Sequence, residues 1–257
     1  MPTRKQEEAL RQSLFKKTRK KVNFFVVEGE RALSELLNSG WKALKIFAEP
    51  QKAHKIRSLI PFESTLQVEE LSARKLAELA QTETPSGVLA LVEKQTFTLE
   101  EAASEKRVLI LDNLRDPGNV GTLLRTARSL GWGGVVLLKG TAELFSPKVV
   151  RSTAGALFHL KIVEGVAAEE AFDRLKKQNF TIGVADSHSG LSPEECRSLI
   201  NQTPGKSLVL VIGSEAAGVS RGILSKADHS VKIPLSRGAE SLNAAVSGGI
   251  LMYLLRA

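Results

Sequence analysis

The sequence predicts an α/β protein built from two unequal domains. Apolar runs of strand length alternate with helical stretches along most of the 257 residues. The alternation is most regular from residue 107 onward, and a polar stretch over 95–106 sets that part off from a shorter first one. In the later part, six strands separated by helices indicate a largely parallel sheet covered on both faces.

The elements follow in order. Residues 1–22 form a basic tail. Phe24 to Val27 reads as a strand and Gly29 as a turn; Ala32, Leu33, Leu36 and Leu37 then recur at helical spacing until Asn38 and Gly40 end the run. ALKIFAE restarts a strand. A polar helix at Gln51 to Leu59, LQVEEL, a helical SARKLAELAQ and, after Pro85-Ser86-Gly87, the strand GVLALVEK complete a domain over 23–100, whose sheet need not be all parallel. After the linker come VLILDN (Val108 to Asn113), a helix from Val120 to Leu130, GVVLLKG, a helix near Pro147 to Thr153, HLKIV and a helix from Ala167 to Gln178. FTIGVAD, a helix at Pro193 to Ile200, SLVLVIG, a short helix around Val219 to Ser225, SVKIP and a last helix from Ser241 to Leu255 complete a second domain over 107–257.

The chain carries 36 Lys+Arg against 28 Asp+Glu, a net charge of +8. Residues 1–22 hold eight basic and two acidic residues, 23–100 nine and eleven, and the remainder nineteen and fifteen, so most of the excess lies in the first tenth. A KKTRKK run is drawn to a polyanion by phosphate contacts and counterion release, which points to nucleic acid. The one cysteine, Cys196, excludes an internal disulfide, a CxxC pair and a cysteine-built metal site, and suits a cytoplasmic protein. No apolar run approaches the ~18 residues of a membrane span, and basic residues stand where a secretory signal would be apolar.

Ligands of open α/β sheets sit beyond the carboxyl ends of the strands. Three segments there carry chemistry. One is Asp112-Asn113-Leu114-Arg115-Asp116-Pro117-Gly118-Asn119-Val120-Gly121, with Arg125 and Arg128 on the following helix. The others are Gly213-Ser214-Glu215-Ala216-Ala217-Gly218, and Ile233-Pro234-Leu235 with the polar loop to Glu240-Ser241-Leu242-Asn243. Each also has a plain structural reading: Pro117-Gly118-Asn119 is a turn signal and Ser241 a natural N-cap. Familiar alternatives fail. Glu215 replaces the middle glycine of a dinucleotide fingerprint, where a carboxylate would repel a pyrophosphate, and Gly205-Lys206-Ser207 lacks the earlier P-loop glycine. His54, His159, His188 and His229 include no zincin pair, and Asp186-Ser187-His188 lacks nucleophile-elbow glycines.

Taken together, the three segments resemble the SpoU family of RNA ribose 2′-O-methyltransferases, part of the SPOUT class. Pro117-x-Asn119-x-Gly121 with Arg125 is similar to its first motif, Gly213-x-Glu215-x-x-Gly218 to its second, and Ile233-Pro234 with Ser241-Leu242-Asn243 to its third. Arg151-Ser152-Thr153-Ala154-Gly155-Ala156 resembles the segment between them. Val26-Val27-Glu28-Gly29 and Thr84-Pro85-Ser86-Gly87-Val88 resemble the L30e-like RNA-binding domain carried by longer members. The resemblance implies a C-terminal trefoil knot, a homodimer, no metal, and S-adenosylmethionine as methyl donor. It also implies that Arg125 is the principal catalytic residue, with Asn119, Glu215, Ser241 and Asn243 shaping the site and the donor held around Gly213, Ile233 and Leu242. Ala244-Ala245 stands where the family usually has Val-Ser, so the hydroxyl expected at 245 is absent.

Transfer of a methyl group to a ribose hydroxyl needs in-line approach and removal of a proton. A guanidinium, with a pKa above ~12, suits alkoxide stabilisation and phosphate clamping better than general-base work. The L30e-like domain favours large-subunit rRNA over tRNA as substrate. Against both stands a catalytically inactive RNA-binding or ribosome-assembly protein of the same fold.

Overall fold

The computed structural model describes residues 16–80, 82, 84–202, 207–214, 217–238 and 240–256. Arg4, Lys5 and Arg11 of the basic tail lie outside them, as does Glu215. The chain forms two compact units: one runs to Gln95 and takes in Phe145–Phe158, the other comprises Thr96–Leu144 and His159 onward.

The first unit is a mixed four-stranded sheet. Its strands are β1 (Phe24–Glu28), β2 (Ala43–Ala48), β3 (Val68–Glu70) and β4 (Val88–Glu93), in the order β1-β4-β2-β3. β4 runs antiparallel to both neighbours, while β2 and β3 are parallel. The helix Glu30–Leu37 buries Ala32, Leu33 and Leu36, as the spacing predicts, and Asn38 ends it. Glu28 joins the two segments that resemble an L30e-like domain: its carboxylate accepts from Ser86 N–H at 3.1 Å and from the Thr82 hydroxyl at 2.7 Å. The helix Pro147–Thr153 and the turn after it belong to this unit, although their sequence lies inside the predicted second domain. Phe145 and Phe158 explain the placement, since both pack on Phe25, with Trp41 edge-on to Phe25 and Phe158. Aromatic burial of this kind outweighs chain order. Of the basic tail, Arg19 is buried, and Lys94 Nζ donates to the Arg19 and Val22 carbonyls.

The second unit is an all-parallel six-stranded sheet. It contains β5 (Arg107–Leu111), β6 (Gly134–Leu138), β7 (Lys161–Val166), β8 (Phe180–Ala185), β9 (Ser207–Ile212) and β10 (His229–Val231), in the order β10-β8-β9-β5-β6-β7. From β5 the chain first steps outward through β6 and β7, then returns to the other side for β8, β9 and β10. The direction of winding therefore reverses between β5 and β9, the position where α/β sheets hold ligands. After their first residues, Arg107 and Ser207, the two strands are fully buried, as their unbroken Val/Leu/Ile runs require. The helix Pro117–Ser129 packs on the last helix, Ala244–Leu254, and Trp132 Nε1 donates to the Met252 carbonyl at 3.2 Å. Gly248 permits the approach: a Cβ there would collide with Leu123 Cδ2.

Cys196 lies fully buried in the helix Pro193–Asn201, whose start is fixed by a Ser192–Glu195 capping box. Burial pushes its thiol up to about 11, so about a thousandth of it is ionised at pH 8. The folded protein is expected to leave a disulfide exchange reagent unreacted at that pH and to react at one thiol in denaturant, read by absorbance. Rapid reaction of the native protein would contradict the packing.

Candidate functional site

The loops leaving β9, β5, β8 and β10 meet at one end of the parallel sheet. After β9 the chain doubles back within five residues: Ser214 N–H donates to the Gly218 carbonyl at 3.0 Å and Gly218 N–H to the Ser214 carbonyl at 2.8 Å. Gly213 sits under the returning strand, where a Cβ would fall on the Gly218 backbone and Val219 N. Glycine is required there by space. At the end of β5, Asp112 is 7% exposed and accepts from Ser220 N–H at 2.8 Å, tying the exit of the β9 loop to the neighbouring strand. Sequence reasoning gave Asp112 no role; its signal was a carboxylate directly after a strand, which needs an internal donor once buried.

Two clefts open on either side of this loop, sharing Ser214 and Ala217. One is walled by Ile212, Ile233, Leu235, Leu242 and Leu251 and is also lined by Gly213. The other, called the polar cleft below for the side chains of Asn113, Arg115, Asp116 and Asn119 along it, is also lined by Leu114. The loop after β8 borders the apolar cleft with Asp186, Ser187 and His188. Those three make a turn and no triad. Asp186 accepts from His188 N–H at 2.9 Å and from the Ser189 hydroxyl at 3.0 Å, and the His188 side chain is 92% exposed. Partial burial pushes the Asp186 carboxyl up, but these hydrogen bonds outweigh it and hold the group below the usual carboxylate range.

The structure brings most of the predicted residues together. Gly213, Ser241, Leu242 and Ile233 line the apolar cleft and Asn119 the polar one. Asn243 Nδ2 donates to Asn119 Oδ1 at 3.1 Å, which joins the first motif to the third. Two helix starts differ from prediction. Asp116 caps the earlier helix by accepting from Gly118 N–H at 2.6 Å, so the helix begins at Pro117; Asn119 lies in its first turn and Arg125 in the third. The last helix begins at Ala244, and its cap is Asn243, whose Oδ1 accepts from Ala245 and Val246 N–H; Ser241 is an exposed loop residue. Arg125 is exposed and lines neither cleft. Among the described residues no three His, Cys, Asp or Glu side chains gather to hold a metal, and no helix is long and apolar enough to cross a membrane.

The family model of the SpoU rRNA methylases matches residues 106–253. The chain belongs to the SpoU rRNA methylase family. A second model, the MRM3-like substrate binding domain, matches residues 5–90. The 23S rRNA (guanosine(2553)-2′-O)-methyltransferase RlmP of Bacillus subtilis is 34% identical over 241 residues, covering 94% of this chain and 92% of its own. Among solved structures, the SpoU methyltransferase AviRb from Streptomyces viridochromogenes in complex with AdoMet matches with a TM-score of 0.84 at 25% identity, covering 99% of this chain and 97% of that one. The AdoMet-bound rRNA methyltransferase from Sinorhizobium meliloti gives 0.84 at 25% identity, covering 97% and 93%. SpoU enzymes use S-adenosylmethionine, and the apolar cleft suits it: aliphatic walls stand beside the Gly213–Gly218 turn and the hydroxyl of Ser241.

Asn243 carries both the helix cap and the link to Asn119. Asn243→Ala is expected to cost about 1 kcal/mol of stability, whereas Asn243→Asp keeps the accepting oxygen and most of that stability. Urea unfolding checks both, and equal loss in the two variants would show that the cap is not what the amide supplies.

Proposed function

We propose that the protein methylates a ribose 2′-hydroxyl of large-subunit rRNA with S-adenosylmethionine as donor. The observation that carries this is the meeting of an apolar cleft built on Gly213, Ile233 and Leu242 with a polar one headed by the Asn119–Asn243 pair. The relative RlmP, named for a 23S rRNA 2′-O-methylation, supports the substrate class over tRNA, and the MRM3-like match over 5–90 supports RNA docking by the first unit. Bound in the apolar cleft, the donor supplies an electrophilic methyl group. Ser241 and the backbone about Gly213, Ile233 and Leu242 hold it there. On the polar side Asn119, oriented by Asn243, positions the ribose, and Glu215 completes the same loop in sequence. A cytoplasmic setting agrees with this substrate and with the single free thiol.

Arg125 is the catalytic residue in this reading. A guanidinium stays charged, so it stabilises the oxygen as negative charge develops. Because it lines neither cleft of its own chain, we infer that a second copy completes the site. The last helix supports that reading, with Val246 and Tyr253 50% and 54% exposed on either side of Ile250. This apolar face adjoins the exposed turns of the Pro117 helix where Gly249 meets Thr126.

The test is transfer of labelled methyl to ribosomal RNA. Arg125→Ala is expected to lower kcat by about 10² or more while S-adenosylmethionine binding, by calorimetry, stays within a few-fold. A near-wild-type rate would sink the assignment. Light scattering should give the mass of two chains and Tyr253→Glu that of one; a wild-type monomer would refute the completed-site reading.

A further inference from the structure

The polar cleft holds one cation that the reaction as described does not use. Arg115 is exposed along it, next to Asn113 and four residues before Asn119. Its position is fixed from behind. Asn113 stands in the left-handed region, at φ 52°, two residues past the end of β5. Its side chain lies so close over Gly140 that a Cβ there would come within 2.7 Å of Oδ1. From that seat Asn113 Oδ1 accepts from Arg115 Nε at 3.2 Å. The loop itself is tied down on both sides: Ala142 N–H donates to the Leu114 carbonyl at 2.8 Å, and the Thr141 hydroxyl to the Leu111 carbonyl at 2.9 Å.

A guanidinium held by Nε keeps its two terminal nitrogens for another partner, and these form the fork that fits two oxygens of a phosphate. Asp116, the one carboxylate among the described residues lining the cleft, is engaged in capping the helix start at Gly118 N–H. We propose that Arg115 binds a backbone phosphate flanking the target nucleotide, with Asn113 as the residue that positions it, and so sets where the ribose stops along the cleft. The assignment rests on the reading that the Asn119–Asn243 end of this cleft receives the ribose. Phosphate contacts of this kind fix register and carry affinity, with no base preference.

The test uses the full-length enzyme with rRNA and S-adenosylmethionine. Arg115→Ala is expected to raise KM for RNA by about tenfold, the loss of one charge-assisted bidentate contact. The slope of log affinity against log salt should fall by about 0.7–0.9, one phosphate's worth. kcat and donor affinity should stay within about twofold, because the contact is made equally in ground and transition states. Arg115→Lys keeps charge without the fork and should restore the salt slope but only part of the KM. Asn113→Gly, which keeps the positive φ and removes the acceptor, should raise KM without changing the salt slope. An Arg115→Ala enzyme with wild-type KM and salt slope overturns the proposal, as does one whose defect lies in kcat alone. The two readings fail separately: Arg125→Ala retaining kcat removes the catalytic role of Arg125, while Arg115→Ala retaining RNA affinity removes the phosphate site.

Discussion

The return of the chain onto Gly213 is the constraint on which the rest of the site depends. With no room for a Cβ under Gly218, the loop after β9 can close within five residues, and both of its sides become walls. The apolar cleft lies on one side and the polar cleft on the other, so in the proposed function a donor and an acceptor would meet at a boundary set by backbone geometry. Holding two reactants in that way converts an encounter in solution into a positioned reaction, worth as much as ~7–11 kcal/mol where alignment is good. Asp112 serves the same end from the neighbouring strand, since its buried carboxylate holds the loop exit at Ser220. The position is where the winding of the sheet reverses, so the strands that part there leave a crevice that neither crossover fills.

Much of this was legible in the residue pattern, because period and punctuation are local. The buried strands read as unbroken apolar runs, and the order of alternation marks the second domain as parallel. The misreadings were of helix starts. Pro117-Gly118-Asn119 looks like a turn until Asp116 is seen accepting from Gly118, which turns the proline into a first helical residue. Ser241 looks like a cap, but Asn243 lies closer to the apolar run and its amide both accepts from the helix and donates to Asn119, which a hydroxyl at 241 could not do at that distance along the chain. Both differences matter chemically, since they set Asn119 in the first turn, facing the last helix's cap.

What sequence could not supply are contacts between residues far apart in the chain. Phe145 and Phe158 flank a segment that the order of elements assigns to the second domain, and their packing on Phe25 and Trp41 carries it into the first unit. The Arg115–Asn113 bond depends equally on something not written locally, the approach of Gly140 that fixes where the Asn113 oxygen points. Arg125 is the reverse case: it stands in the first motif, yet its exposed position beyond both clefts is the observation behind the proposal that a second copy of the chain completes the site.

The central claim is methyl transfer to a ribose 2′-hydroxyl in large-subunit rRNA, and mapping of blocked 2′-hydroxyls tests it most directly. Ribosomal RNA lacking the modification is incubated with the enzyme, with and without S-adenosylmethionine, and read along its length. The account predicts a donor-dependent block at a single nucleotide of the large-subunit RNA. A donor-dependent methyl on a base, a modification confined to tRNA, or no new block at any ribose would contradict it.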